Sequence, residues 1–217
     1  MANRALKSAP RADSEADSRG DRTRRLIKET IARLAMRKDV ADITLAEICK
    51  AAKLTTGAVY FHFKGKEEAV EEMVIGEVQA HYGQILAEYA GGGFEELVGV
   101  ILEVSSRYHL ARKRLKRAIV VIINARPAAY QAWLAARRPV VRALEQAIAE
   151  RRREQGLPTD PAPYLALFIL NSIEDLAMDV FQWKNPTLAP FAEDMEAWNR
   201  RQRALWTFAI LAPIPDR

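Results

Sequence analysis

The chain has 217 residues, of which 49% are apolar and 28% charged, with a formal net charge of +5. That is enough apolar mass for a large globular core in one or two domains, and no apolar run approaches the roughly 18 residues of a bilayer span. A single cysteine, Cys49, excludes an intrachain disulfide and fits a reducing cytoplasm, and the N-terminus lacks the apolar core of a secretory signal.

Residues 1–20 are rich in Ser, Ala, Arg and Asp without periodicity, and predict a disordered tail. Over residues 1–21 four basic and four acidic side chains cancel, which favours a plain tail over an arm for a minor groove. From Arg22 to about Lys38, Ile27, Ile31, Leu34 and Ala35 recur at helical spacing among arginines, so a helix is expected.

The stretch from Ile43 to Lys66 is the most informative. Thr44 followed by Glu47 is a capping box, with Ile43 and Ile48 placed as a hydrophobic staple, and predicts a helix over Leu45–Ala52. Thr55 caps a second helix over about Thr56–Phe61, with Leu54 and Val59 as its staple pair. Only Lys53 and Leu54 lie between the two, which is helix-turn-helix spacing. Thr56, Gly57 and Ala58 make a small leading face, and a major groove needs such a face for the backbone to approach base edges. Charge points the same way. Residues 22–66 hold eleven Lys and Arg against four Asp and Glu, a net of +7, while the rest of the chain is slightly negative. That is the footprint of a module docking on phosphates.

The run Leu54-Thr55-Thr56-Gly57-Ala58-Val59-Tyr60-Phe61-His62-Phe63-Lys64-Gly65-Lys66-Glu67-Glu68 resembles the signature of the tetracycline-repressor (TetR) family of bacterial transcription regulators. Tyr60, His62, Phe63 and Lys66 fall at the family's spacing, and the likeness covers about Arg24 to Val70. It departs at Lys53, where the family usually has a turn glycine; a positive φ there would strain lysine by about 1 kcal/mol. It departs again at Ala69, where a leucine is usual. Beyond this head the likeness extends only to length and helical layout.

The remaining chain reads as helices. One runs from Lys66 to about Ala90 and stops at Gly91-Gly92-Gly93. Phe94 to about Leu110 follows, then Lys113–Asn124, whose Ile119–Ile123 aliphatic run is read as a buried helix for want of any partner strand. Pro127 opens a helix to about Gln155, with a kink expected at Pro139. Asp160 is expected to cap a helix with Pro161 at its first position, ending near Lys184. The last helix is expected from about Pro190 to Ala212, with Glu193 and Asp194 in its first turn. The fold class is therefore all-α: a tail over residues 1–20, a three-helix helix-turn-helix DNA-binding domain over 21–66, and a helical ligand-binding and dimerisation domain over 67–217.

Candidate DNA contacts are Thr44, Lys53, Thr55, Thr56, Gly57, Ala58, Tyr60, His62 and Lys66. Tyrosine hydroxyl, imidazole N–H, ammonium and a helix N-terminal amide at Thr44 suit phosphate oxygens, while residues 55–58 are placed to reach bases. Candidate ligand contacts are Tyr108, Asn124, Trp133, Asn171, Asp175 and Met178, an aromatic and polar set within apolar surroundings. Packing is the competing reading for each of them. Glu77, His81 and His109 are too scattered to argue for metal, no catalytic motif is present, and no cofactor is expected. Phe168, Ile169, Ile173, Leu176, Trp198, Leu205 and Phe208 form two stripes suited to a four-helix homodimer interface. The implied function is a dimeric transcription regulator on a palindromic double-stranded operator, a repressor released by a small-molecule effector, and not an enzyme. An activator, a ligand-independent regulator, or a helical binding protein or enzyme with a vestigial head remain as alternatives.

Overall fold

The computed structural model describes residues 19–213, the side chains of residues 191 and 192 excepted; the expectation for residues 1–18 lies outside this range. Nine helices lie within it: α1 (Arg19–Ala35), α2 (Leu45–Ala52), α3 (Thr56–His62), α4 (Lys66–Glu88), α5 (Phe94–Ala111), α6 (Lys113–Ala125), α7 (Pro127–Glu154), α8 (Ala162–Phe181) and α9 (Met195–Leu211). Short 3-10 turns at Val40–Asp42 and Ala189–Ala192 complete the set, and no strand occurs among the described residues. Among the described residues no helix is long and apolar enough to cross a membrane.

Local chemistry accounts for most boundaries. At α2 both halves of the capping box form: Glu47 N–H donates to Thr44 Oγ1 at 3.2 Å, and Thr44 N–H donates to Glu47 Oε2 at 2.9 Å. The helix ends at Lys53, which takes the left-handed conformation (φ 56°, ψ 41°). The N–H of Leu54 then closes the turn on the Cys49 carbonyl at 2.9 Å. Helix α4 ends where Glu96 reaches back to the amides of Ala90 and Gly92, with Gly91 and Gly93 at positive φ. Pro127 occupies the first turn of α7, where a missing N–H costs nothing, and the helix runs unbroken past Pro139.

Four expectations need correction. Helix α1 begins at Arg19, earlier than Arg22, and ends at Ala35. Helix α8 starts at Ala162 with no side-chain cap; Pro161 precedes it, and Asp160 plays no capping part. The final helix starts at Met195, because Asp194 is its N-cap and accepts from the Ala197 amide at 2.9 Å. Before it, residues from Ala189 form the separate 3-10 turn. Helix α6 is helical as expected but is not buried: only Leu115 and Ile119 are inside, and Val121 is 59% exposed. A consecutive aliphatic run on a helix points in every direction, so burial of all five residues would need neighbours on all sides.

Helix α4 is the spine. It packs most extensively on α7, and α7 in turn packs on α8. The buried cluster is continuous from Ile27 and Ile31 in α1, through Ala69, Val70, Met73 and Val74 in α4, to Leu144 and Ile148 in α7 and Ile210 in α9. Ala69 is fully enclosed, so the small residue at that point is accommodated by close approach. Near the chain's end the fully buried Arg152 donates to the carbonyls of Pro158, Ile210 and Ala212, tying α7 to the C-terminus of α9.

Candidate functional site

The head presents one face of α2 and α3 to solvent. Val59 and Phe63 turn inward, so the opposite side of α3 must face out. Thr55, Thr56, Gly57 and Tyr60 are exposed there, Ala58 and His62 half-buried. Lys53 stands exposed at the turn, beside Lys50 on α2. Thr55 Oγ1 accepts from the Ala58 amide at 3.2 Å and fixes the helix start. A Cβ built on Gly57 would meet nothing closer than Thr55 Oγ1 at 4.0 Å, so its smallness serves the outer face and not packing. Cys49 is buried, its Sγ 3.8 Å from Thr56 Oγ1.

A second layer holds this face in place. Arg24 of α1 pairs with Glu72 of α4, donates to the His62 carbonyl at 2.7 Å, and stacks its guanidinium 4.5 Å from the Phe63 ring. One side chain thus joins α1, the end of α3 and α4. Lys38 donates to both oxygens of Glu47 at 2.8 Å. That hydrogen bond, with those from the Thr44 amide and hydroxyl, lowers the Glu47 pKa to about 2. Lys66 donates to the Ala41 carbonyl at 3.0 Å, which leaves two of its three ammonium donors free. The Thr44 amide, expected to face outward, is turned onto Glu47; the first-turn amides of Leu45 and Ala46 are the ones without an intrahelical acceptor.

In the body, α4 to α8 enclose a cavity of about 200 Å³. Of the six candidate ligand contacts, Tyr108, Asn124, Trp133, Asp175 and Met178 line it. Asn171 does not: its Oδ1 accepts from Arg137 at 2.6 Å, away from the cavity. His81, Tyr82, Lys116, Tyr130 and Glu174 share the wall. Tyr82 donates its hydroxyl to Glu174 and accepts from Trp133 Nε1 at 3.2 Å, so three helices meet in one hydrogen-bonded chain. Burial raises the Tyr82 and Tyr108 pKa values well above the usual tyrosine range. Burial, with the charge of Lys116 adding to it, holds the His81 and His109 pKa values down at about 3, so both imidazoles are neutral near pH 7. Among the described residues no three His, Cys, Asp or Glu side chains are gathered as a metal site, the Glu77, His81 and His109 set included.

Residues 27–73, from α1 into α4, match the model of a family described as bacterial regulatory proteins, tetR family. The N-terminal module is thus similar to that of tetR-family regulators. A curated relative, the HTH-type transcriptional regulator AcrR of Shigella flexneri, is 32% identical over 105 residues, 45% of this chain and 47% of that protein. The chain thus spans about half the length of the curated relative it matches. Solved structures resemble nearly the whole fold. Salmonella enterica GusR superposes with a TM-score of 0.67 at 15% identity, over 90% of this chain and 98% of that one. The fatty acid degradation regulator FadR of Bacillus halodurans gives 0.61 at 14% identity, over 85% and 94%. A transcriptional regulator of Aquifex aeolicus gives 0.59 at 21% identity, over 86% and 99%. At such identities these likenesses concern the fold alone.

On the head Lys53, Thr55, Thr56, Gly57 and Tyr60 are exposed, while Thr44 and Lys66 are engaged within the head by Glu47 and the Ala41 carbonyl; the structure adds two residues that pattern reading passed over. Phe61 is 84% exposed on α3, its ring edge-on to His62 at 5.1 Å. An aromatic beside two inward residues reads as core in a linear pattern; only the helix's seating shows it outside. Arg24 carries no local signal either, since its partner Glu72 lies 48 residues away. On the body, Ile169, Ile173 and Trp198 of the expected interface stripes are buried in the monomer. The apolar face left in solvent consists of Tyr164, Leu167 and Phe168 on α8 with Leu205 and Phe208 on α9.

Proposed function

We propose that the chain is a DNA-binding transcriptional regulator that acts as a homodimer, a repressor released from a palindromic operator by a small molecule held in the body. Residues 21–66 form the reader and 67–217 the effector-binding and dimerisation domain. The observation that carries the reading is the small, exposed front of α3 on a module of net charge +7. Thr55, Thr56, Gly57 and Ala58 approach base edges; Lys53, Tyr60, His62 and Lys66 meet phosphates. Thr44 contributes by holding the α2 N-terminus in place, with the Leu45 and Ala46 amides as the phosphate donors. The exposed aromatic and aliphatic face of α8 and α9 is where two copies pair, and readers of such a dimer address half-sites about one helical turn of DNA apart, 34–36 Å.

Coupling to the effector runs through α6. One face of that helix lines the cavity with Lys116, Ile119, Val120 and Ile123, while Arg114 on another donates to the Arg37 carbonyl of the head at 2.6 Å. Arg117, Val121 and Ile122 border an unfilled groove of about 450 Å³ against the head. A ligand that moves α6 therefore pulls on the reader directly, with space to move into, and biases the two heads away from their spacing.

Gly57→Glu tests the reading. The site has room for a Cβ, so the fold and melting temperature hold, but a carboxylate on the leading face meets the phosphate walls. Fluorescence anisotropy on the gene's own upstream DNA should show salt-sensitive binding by the parent and a loss of about 100-fold or more in the variant, the effect of several kcal/mol of misplaced charge. Binding indifferent to salt, or untouched by Gly57→Glu, contradicts the proposal.

A further inference from the structure

The body cavity has one polar end and one aromatic end, and the polar end contains a cation without a counter-ion. Lys116 of α6 lines the cavity, and its ammonium makes no hydrogen bond or ion pair with any described residue. Its nearest charge-like contact is the Tyr108 ring, whose centroid lies 5.9 Å from the ammonium. The His81 ring lies tilted against the same tyrosine, centroids 4.8 Å apart, with its Nδ1 sealed from the cavity. Across the cavity Glu174 accepts from the Tyr82 hydroxyl, which Trp133 also holds. Glu174 attracts Lys116 without reaching it, and burial still lowers the lysine's pKa. Asp175 is exposed at the edge and stays hydrated. A charged donor faces the cavity with nothing to accept from it, which is the arrangement a bound anion completes.

Resting on the reading that this cavity takes the effector, we propose that the effector is a compact aromatic carboxylate that accepts from Lys116 Nζ. Its ring lies in the apolar half between Trp133, Tyr130, Val120 and Ile123. Size agrees: a dry cavity of about 150 Å³ accepts benzene, and this one is about 200 Å³. A cationic ligand would place its charge beside Lys116, while Glu174 already has its donor. A fully neutral ligand would leave the ammonium buried and unpaired.

Three near-isosteric probes separate the cases: 2-naphthoate, 2-naphthamide and 2-naphthylmethylammonium, titrated by calorimetry into the full-length protein. The carboxylate is expected to bind at least about 10-fold tighter than the amide, the worth of one charge-assisted hydrogen bond, and the ammonium most weakly. Lys116→Met should bring the carboxylate to the level of the amide and leave the amide unchanged; Lys116→Arg should keep the preference. Because Lys116→Met removes a desolvated charge, its melting temperature is expected to equal or exceed the parent's. Equal binding of all three probes, or a carboxylate preference that survives Lys116→Met, overturns the inference and leaves the effector cavity standing. Binding of none of the three overturns both.

Discussion

Replacing Lys53 with glycine separates the strain at the turn of the reader from the charge that the same residue carries. Lysine sits there at φ 56° and ψ 41°, a conformation that costs an L-residue about 1–2 kcal/mol. Glycine relieves that cost but loses about 0.5–1 kcal/mol more conformational freedom on folding. The net expectation is a gain of about 0.5 kcal/mol, or 1–2 °C in melting temperature for a chain of this size. The exposed ammonium disappears with the strain. If it meets one phosphate per head, a dimer loses two contacts. The slope of log K against log salt should fall by about 1.8 and affinity at 0.1 M monovalent salt by about 60-fold. Lys53→Ala is the control: it keeps the left-handed turn and drops the charge, so its DNA binding should match glycine's while its stability stays near the parent's. Anisotropy across a salt series, beside urea unfolding, reads both quantities. A glycine variant that is less stable than the parent refutes the strain argument. A salt slope unchanged in both variants refutes the phosphate contact.

Acid sensitivity should trace to the capping box. The folded pKa of Glu47 is depressed from 4.5 to about 2, chiefly by Lys38, so its stabilising share is complete above pH 4.5 and disappears as pH falls towards 2. Glu47→Gln should show a flatter stability profile in that window and lower stability at pH 7, read as faster amide exchange in α2; a profile parallel to the parent's would count against the pairing. Arg152→Met leaves the carbonyls of Pro158, Ile210 and Ala212 unpaired in a sealed site, and should cost about 2–4 kcal/mol, measured by denaturant unfolding, with DNA contacts untouched. Tyr82→Phe strips a partner from both Glu174 and Trp133 and should cost about 1–3 kcal/mol. It should also shift Trp133 emission; an unchanged spectrum would mean the indole is not held as described.

The head was legible because its information is local. Capping residues, staple pairs and the charge of the segment act within a few positions, so Thr44, Glu47 and Thr55 define α2 and α3 without help from the rest of the chain. The turn at Lys53 was legible as a question, and its backbone angles answered it. The exposed Phe61 escaped notice because exposure depends on how α3 sits on α1 and α4. In the body, periodicity located the helices but misjudged their ends: Asp194 serves as a cap where a first-turn position was expected, and Asp160 does not cap α8. Such details turn on whether a preceding loop lets a side chain reach back. Five of the six candidates picked by type line the cavity, whereas Asn171 does not and is held by Arg137, 34 residues away.

By itself, then, the sequence determined an all-helical chain with a basic, helix-turn-helix reader at its N-terminal end, since helix starts, apolar stripes and charge are encoded by neighbours three or four positions apart. Only the tertiary structure decided that Arg24 clamps three helices, that α6 faces both cavity and head, and that the Lys116 ammonium faces the cavity without an acceptor. Those arrangements join residues tens of positions apart, and they exist only once burial has chosen which face of each helix turns inward.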